Sequence, residues 1–126
     1  MIQKALGIIT NELQNLDVPY EFMQWTSPVE DRYWVGEFTE TPTTTEDGYE
    51  QATLILTGTT RELWSVLMQD REKIKNHFPS VGGFRITTED GAVVIFYASA
   101  FPVPTGEADL KRIQINLDIK AWKGLN

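Results

Sequence analysis

Apolar residues recur at every third or fourth position in two parts of the chain, which predicts two amphipathic helices. The first spans residues 2–16 and ends before Pro19; its apolar stripe is Ile2, Ala5, Leu6, Ile9, Leu13 and Leu16. The second is predicted over residues 59–78. Thr59 and Glu62 have the spacing of a capping box, and Pro79 ends the pattern. The apolar face of this helix is Leu63, Trp64, Leu67, Met68, Ile74 and Phe78. We expect both helices to bury their apolar faces.

Alternating apolar and polar residues predict strands in the remainder of the chain. Residues 20–25 and 32–39 predict a first hairpin, and residues 49–57 predict a third strand. Asp90-Gly91 is a hairpin turn signal between further strands at 84–89 and 92–101. The clearest strand spans residues 112–122, where polar residues separate Ile113, Ile115, Leu117, Ile119 and Ala121. This alternation is typical of a strand with one buried and one wet face.

The predicted elements follow the order α-β-β-β-α-β-β-β, with short connections between successive strands. Short connections favour antiparallel pairing. The length of 126 residues suits one domain. We therefore expect a single α+β domain over residues 1–126, with an antiparallel sheet and two helices packed against it.

Composition narrows the possible functions further. Eleven basic and eighteen acidic residues give a formal charge of −7, which disfavours nucleic-acid binding because phosphate backbones would be repelled. The absence of cysteine excludes disulfides and thiolate chemistry. No signal-peptide block and no membrane-length apolar run is present, so we expect a protein made in the cytoplasm without a membrane partner.

Candidate catalytic and metal-binding residues do not form a recognisable site. His77 is the only histidine and lies at the predicted end of a helix, where an imidazole interacts with terminal carbonyls. A triad of Ser65, Asp70 and His77 would place Ser65 and Asp70 on different faces of one helix. Glu46, Asp47 and Glu50 lack the spacing of a calcium loop. We expect no enzymatic activity, no metal and no cofactor.

Aromatic residues concentrate near a long acidic loop at residues 40–48. In the strand at 32–39, Trp34 and Phe38 share one face while Tyr33 and Val35 occupy the other. Either a helix covers this strand on its second side, or one face binds another subunit. The interface hypothesis selects residues of this strand and of the adjoining loop: Trp34, Phe38, Glu40, Glu46, Asp47 and Tyr49.

The whole-chain pattern resembles the tail-terminator, or tail-completion, proteins of bacteriophages and prophages. The resemblance depends on the opening helix at 2–16, the loop at 40–48, the helix at 59–78 and the closing strand at 112–122. It implies a non-enzymatic virion protein that assembles, typically as a hexameric ring, at the head-proximal end of the tail. Its partners would then be other copies of itself, tail-tube proteins and head-connector proteins, first in the host cytoplasm and then in the virion tail.

Two further functional hypotheses remain open at this stage. One is another phage or prophage component, such as a tube or connector subunit. The other is a small-ligand-binding module with a pocket lined by Trp25, Trp34 and Trp64. A cleft that brought His77 together with two carboxylates would favour an enzyme instead.

Overall fold

The computed structural model describes residues 2–41 and 48–123, which form two helices and six strands. In chain order the elements are α1 Ile2–Asn15, β1 Tyr20–Phe22, β2 Arg32–Thr41, β3 Tyr49–Thr60, α2 Trp64–His77, β4 Phe84–Thr88, β5 Gly91–Pro102 and β6 Lys111–Lys123. The mixed α+β class expected from the sequence is confirmed.

The strands form one mixed sheet in the spatial order β1-β2-β3-β6-β5-β4. The expectation of a purely antiparallel sheet is wrong at its edge, because β1 and β2 are parallel, with Tyr20 beside Trp34. The reason lies after β1, where Met23 has a positive φ of 70° and Glu21 accepts hydrogen bonds from the amides of Thr26 and Ser27. This loop returns the chain to the starting end of β1, so β2 runs in the same direction.

The core lies between one face of the sheet and the two helices. Alternate residues of the three central strands point to this face, among them Leu54 and Leu56 of β3 and Ile115, Leu117 and Ile119 of β6. The helix α1 contributes the apolar stripe that its periodicity predicts: Ile2, Ala5, Ile9 and Leu13. The opposite face of the sheet carries no described helix, and its side chains are mostly half-buried or exposed.

The second helix begins later than predicted, at Trp64 instead of Thr59. Thr59 and Thr60 extend β3, where they pair with Arg112 and Lys111 of β6. The Thr60 hydroxyl donates to the Asp31 carbonyl oxygen (2.6 Å) and no side chain caps α2 at Leu63. The capping-box prediction is therefore wrong, because strand pairing outweighs a local helix-start signal.

Asp70 of α2 fixes the helix to the sheet through a buried ionic network. Its carboxylate accepts hydrogen bonds from Arg32 Nε (2.6 Å), Arg32 Nη2 (3.0 Å) and Trp34 Nε1 (2.8 Å). Arg32 also donates to the Asp17 carbonyl oxygen beyond the end of α1 (3.1 Å). The hydrogen bond with Asp70 raises the pKa of Arg32 above its usual value. One carboxylate thus connects α2, β2 and the end of α1.

Two aromatic rings lie over glycines on the helix-bearing face. The Trp34 ring covers Gly58 of β3 so closely that a Cβ there would lie 2.6 Å from ring atoms. The Tyr20 ring covers Gly36 of β2 in the same way. Burial raises the pKa of Tyr20 to about 12. The absence of side chains at Gly36 and Gly58 therefore allows the rings to lie flat against the sheet.

We expect Asp70→Ala to lower the free energy of unfolding by about 3 kcal/mol. This value is at the low end of the destabilisation expected when one partner of a buried ion pair is removed. We choose the low end because the Arg32 side chain is 19% exposed and can be partly hydrated. Urea denaturation measures the effect. The control Gln69→Ala changes an exposed neighbour on the same helix and should shift the free energy by less than about 0.5 kcal/mol. Equal effects of the two substitutions would contradict the role of Asp70.

We expect Gly58→Ala to destabilise the protein by about 1–3 kcal/mol, because the added methyl group displaces the Trp34 ring. The control is Gly7→Ala in α1, where a Cβ meets no atom within 4 Å. Alanine there should stabilise the helix by about 0.5–1 kcal/mol. Thermal unfolding of both variants tests the prediction, and a stabilised Gly58→Ala protein would refute it.

Candidate interaction surface

The structure buries one of the residues that the sequence suggested for an interface. The side chain of Trp34 is 0% exposed and lies between Asp70, Gly58 and the helices. It is not available to a partner in this fold. The sequence left two explanations for the apolar residues of this strand, coverage by a helix and contact with another subunit. For Trp34, the structure supports coverage by a helix.

The remaining residues of that set divide between the two faces of the sheet. Phe38 and Glu40 are exposed on the helix-bearing face. Tyr49 is half-buried on the opposite face, where its ring contacts Trp122 (centroids 5.6 Å apart) and Lys120 Nζ lies 5.5 Å from its centroid. Glu46 and Asp47 lie outside the described residues.

Phe38 and Glu40 belong to an exposed surface at one edge of the sheet, here called the β2-edge surface and formed by Phe22, Met23, Phe38 and Glu40. The rings of Phe22 and Phe38 stack with centroids 6.0 Å apart. Met23 is 58% exposed beside them. A contiguous group of exposed apolar side chains is typical of a binding surface.

The edge beside this surface also has unpaired backbone. Trp34 N–H donates to the Pro19 carbonyl oxygen and Met23 N–H donates to the Gly36 carbonyl oxygen, both at 2.8 Å, so the peptide groups of these two β2 residues face β1. Peptide orientation alternates along a strand, so Phe38 and Glu40 direct their peptide groups to the same edge. The β1 strand ends at Phe22, and no described strand pairs with them there.

A second exposed apolar surface lies across the molecule and was missed by sequence reasoning. This α2–β5 surface consists of Leu63, Trp64, Met68, Arg71 and Phe101. Leu63 is 72% exposed, and the other three apolar side chains are also exposed. A groove of about 480 Å³ runs through the surface, with Ala100, Pro102 and Ile113 completing its walls. Helical periodicity had assigned Trp64 and Met68 to the core, whereas only Leu67, Ile74 and Phe78 of that face are buried.

The chemistry-bearing residues do not assemble into a reactive cleft among the described residues. His77 Nε2 lies 3.6 Å from one carboxylate, that of Glu12, and its ring stacks on Phe84. Asp70 is engaged with Arg32 and Trp34. Within residues 2–41 and 48–123, no group of three His, Cys, Asp or Glu side chains is placed to hold a metal ion.

The pocket proposed for a small ligand is not formed by the three tryptophans. Trp25 lines a cleft near Pro19 and Glu30, and its ring packs against Tyr33. Trp64 lines the groove of the α2–β5 surface, and Trp34 is buried in the core. The three rings therefore have different surroundings and share no cavity.

The fold belongs to the mixed α+β class, with a six-stranded sheet that carries two helices on one face. A chain from the virion of a native gene transfer agent (GTA) particle has the same fold, with a TM-score of 0.65. The match covers 89% of this chain and 84% of that one, at 12% sequence identity. No protein-family model matches the sequence, and no curated protein matches it.

Within the described part of the chain, neither helix is long and apolar enough to cross a bilayer.

We expect Phe38→Ala to change the free energy of unfolding by less than about 1 kcal/mol, because Phe38 is exposed at an edge. The control is Leu54→Ala. Leu54 is the partner of Phe38 on the neighbouring strand and is fully buried, so its truncation should cost about 2–5 kcal/mol. Chemical denaturation distinguishes the two. A large loss for Phe38→Ala would assign that ring to the core and not to a binding surface.

Proposed function

We propose that this chain is a phage or prophage virion structural protein that completes the tail at its head-proximal end, as a tail terminator or head–tail joining protein. In this role it has no enzymatic activity and acts through contacts with other proteins. It assembles in the host cytoplasm and remains in the virion tail.

The observation that carries the proposal is the shared fold with a chain of a gene transfer agent virion, a phage-like particle. The similarity extends over most of both chains, so it concerns the whole domain and not a common sub-motif. Because it was found at 12% identity, it supports the virion role through architecture alone. The finer assignment to the tail end comes from the resemblance of the sequence to tail-completion proteins.

The exposed surfaces suit a protein that acts by assembly. Exposed phenylalanine, tryptophan and methionine side chains at two places on a small domain are the groups that protein interfaces prefer. Glu46 and Asp47 belong to the connection between β2, which ends at Thr41, and β3, which begins at Tyr49. We assign its acidic residues to contact with a tail-tube or head-connector protein, and the β2-edge surface to contact with other copies in a ring.

Deletion of the gene from the genome that carries it, followed by electron microscopy of the particles, tests this function. Loss of a tail terminator should give tubes of uncontrolled length and filled heads without attached tails. Complementation with the intact gene should restore uniform tails. Normal, joined particles after deletion would refute the proposal.

The same experiment separates the tail-completion role from another tube or connector subunit. Loss of a tube subunit should leave no tails, whereas loss of a connector should leave tails of normal length that are not joined to heads. Quantitative mass spectrometry of purified particles adds an independent criterion. A terminator should be present at one ring per particle, far below the abundance of the tube subunit.

A further inference from the structure

From the positions of the two exposed apolar surfaces, we propose that copies of this chain associate head to tail, with the β2-edge surface of one copy bound to the α2–β5 surface of the next. This inference rests on the proposed function for its biological setting, but its evidence is in the described residues. It names the two surfaces that join the subunits.

The first step of the argument is that the two surfaces are different and lie at opposite edges of one sheet. The β2-edge surface borders β1 and β2, and the α2–β5 surface borders the last residues of β5. The β4 strand pairs only with Gly91–Ile95, and Tyr97 N–H donates to the Phe78 carbonyl oxygen (2.8 Å). Beyond Tyr97, no described strand pairs with β5 at this edge, so its last residues form a second edge. Contact between two different surfaces is heterologous and continues from copy to copy.

The second step is that the strand register places both surfaces at the same level of the sheet. One row of paired residues crosses five strands from the first surface to the groove of the second: Phe22, Gly36, Leu56, Ile115 and Ala100. The next row starts at Phe38 and ends at Tyr97, through Leu54 and Leu117. A heterologous contact between these two surfaces forms a closed ring when the rotation from copy to copy closes.

The third step is that the flanking charges are opposite. Glu40 lies within the β2-edge surface and is exposed. On the other side, Arg71 lines the groove and also donates to the adjacent Glu72 (2.9 Å). Lys75 lies one helical turn further along α2, and both cations are about 6 Å from the Tyr97 ring. Opposite charges around apolar centres orient two copies and oppose contact between like surfaces.

The shapes of the two surfaces also fit this pairing. The α2–β5 surface is concave, with an apolar groove of about 480 Å³ between α2 and the end of β5. The β2-edge surface presents the stacked rings of Phe22 and Phe38. Aromatic side chains buried in a partner's apolar groove supply most of the binding energy at many interfaces. A second copy of this chain therefore offers aromatic rings for the apolar groove and a carboxylate for the cations beside it.

Site-directed cross-linking tests the arrangement directly, because the chain has no cysteine. Met23→Cys marks the β2-edge surface and Ser65→Cys marks the α2–β5 surface; both native residues are exposed. We expect a short bismaleimide to give dimers only when the two variants are mixed at high protein concentration. A variant with both cysteines should give a ladder of oligomers that ends at a closed ring.

Two controls define the outcome. Replacing Ser65→Cys by Ala108→Cys, in the exposed loop before β6, should abolish the mixed product. Adding Phe38→Asp to the Met23→Cys variant should reduce the mixed product by roughly tenfold, as expected for loss of one anchoring ring. Denaturation curves confirm that each variant is folded. Dimers from either single variant alone, or no mixed product at the highest concentration, would overturn the inference.

The failure of this inference and the failure of the proposed function give different results. A cross-linked ladder from a protein that is absent from virions would retain the head-to-tail contact and reject the virion role. A protein required for tail completion whose copies do not cross-link between residues 23 and 65 would retain the function and reject these surfaces.

Discussion

The contact of Asp70 with Arg32 and Trp34 is the constraint on which the arrangement of helices and sheet depends. It places α2 against β2 across the core and anchors Arg32, which in turn holds the chain beyond α1. The same carboxylate orients the Trp34 ring over Gly58. A carboxylate that is 1% exposed requires partners for its charge, and the Arg32 and Trp34 donors provide them only where α2 lies against β2.

The position of α2 determines which of its residues remain exposed. With Asp70 directed at β2, the residues one-half turn away face the edge near β5, and Trp64, Met68 and Arg71 lie along that side. The α2–β5 surface is thus a consequence of the buried network on the other side of the helix. The buried network and the candidate interface lie on opposite sides of the same helix, so a substitution of Asp70 should affect both the core and the α2–β5 surface.

The sequence predicted elements whose signals are local and repeated. The stripe of α1 and the alternation of β6 were long enough to identify both elements and their buried faces. The parallel pairing of β1 was not predictable, since it depends on Met23 and on the hydrogen bonds of Glu21, which no periodicity reveals. Trp34 was placed on the correct strand, but its burial depends on Asp70, 36 residues later in the chain.

The candidate surfaces were predictable only in part for a related reason. Phe38 and Glu40 were found because aromatic and acidic residues cluster locally, whereas Phe22 joins them only through the parallel pairing. The α2–β5 surface combines a helix with a strand thirty residues further on, and apolar periodicity alone assigns such a helix face to the core. Exposure is a tertiary property, so it required the position of α2.

Uncovered edges explain why this domain presents two surfaces suited to assembly. Proteins that remain monomeric protect the edges of their sheets with charges, prolines or covering segments, because open strands and apolar groups promote association. Here β1 spans three residues and β4 spans five, so among the described strands each pairs with only part of its longer neighbour. Exposed aromatic rings accompany both uncovered parts. Such a pattern is unfavourable for an isolated domain in water, whereas in the proposed head-to-tail contact each edge would cover the other and the same groups would supply the contact between copies.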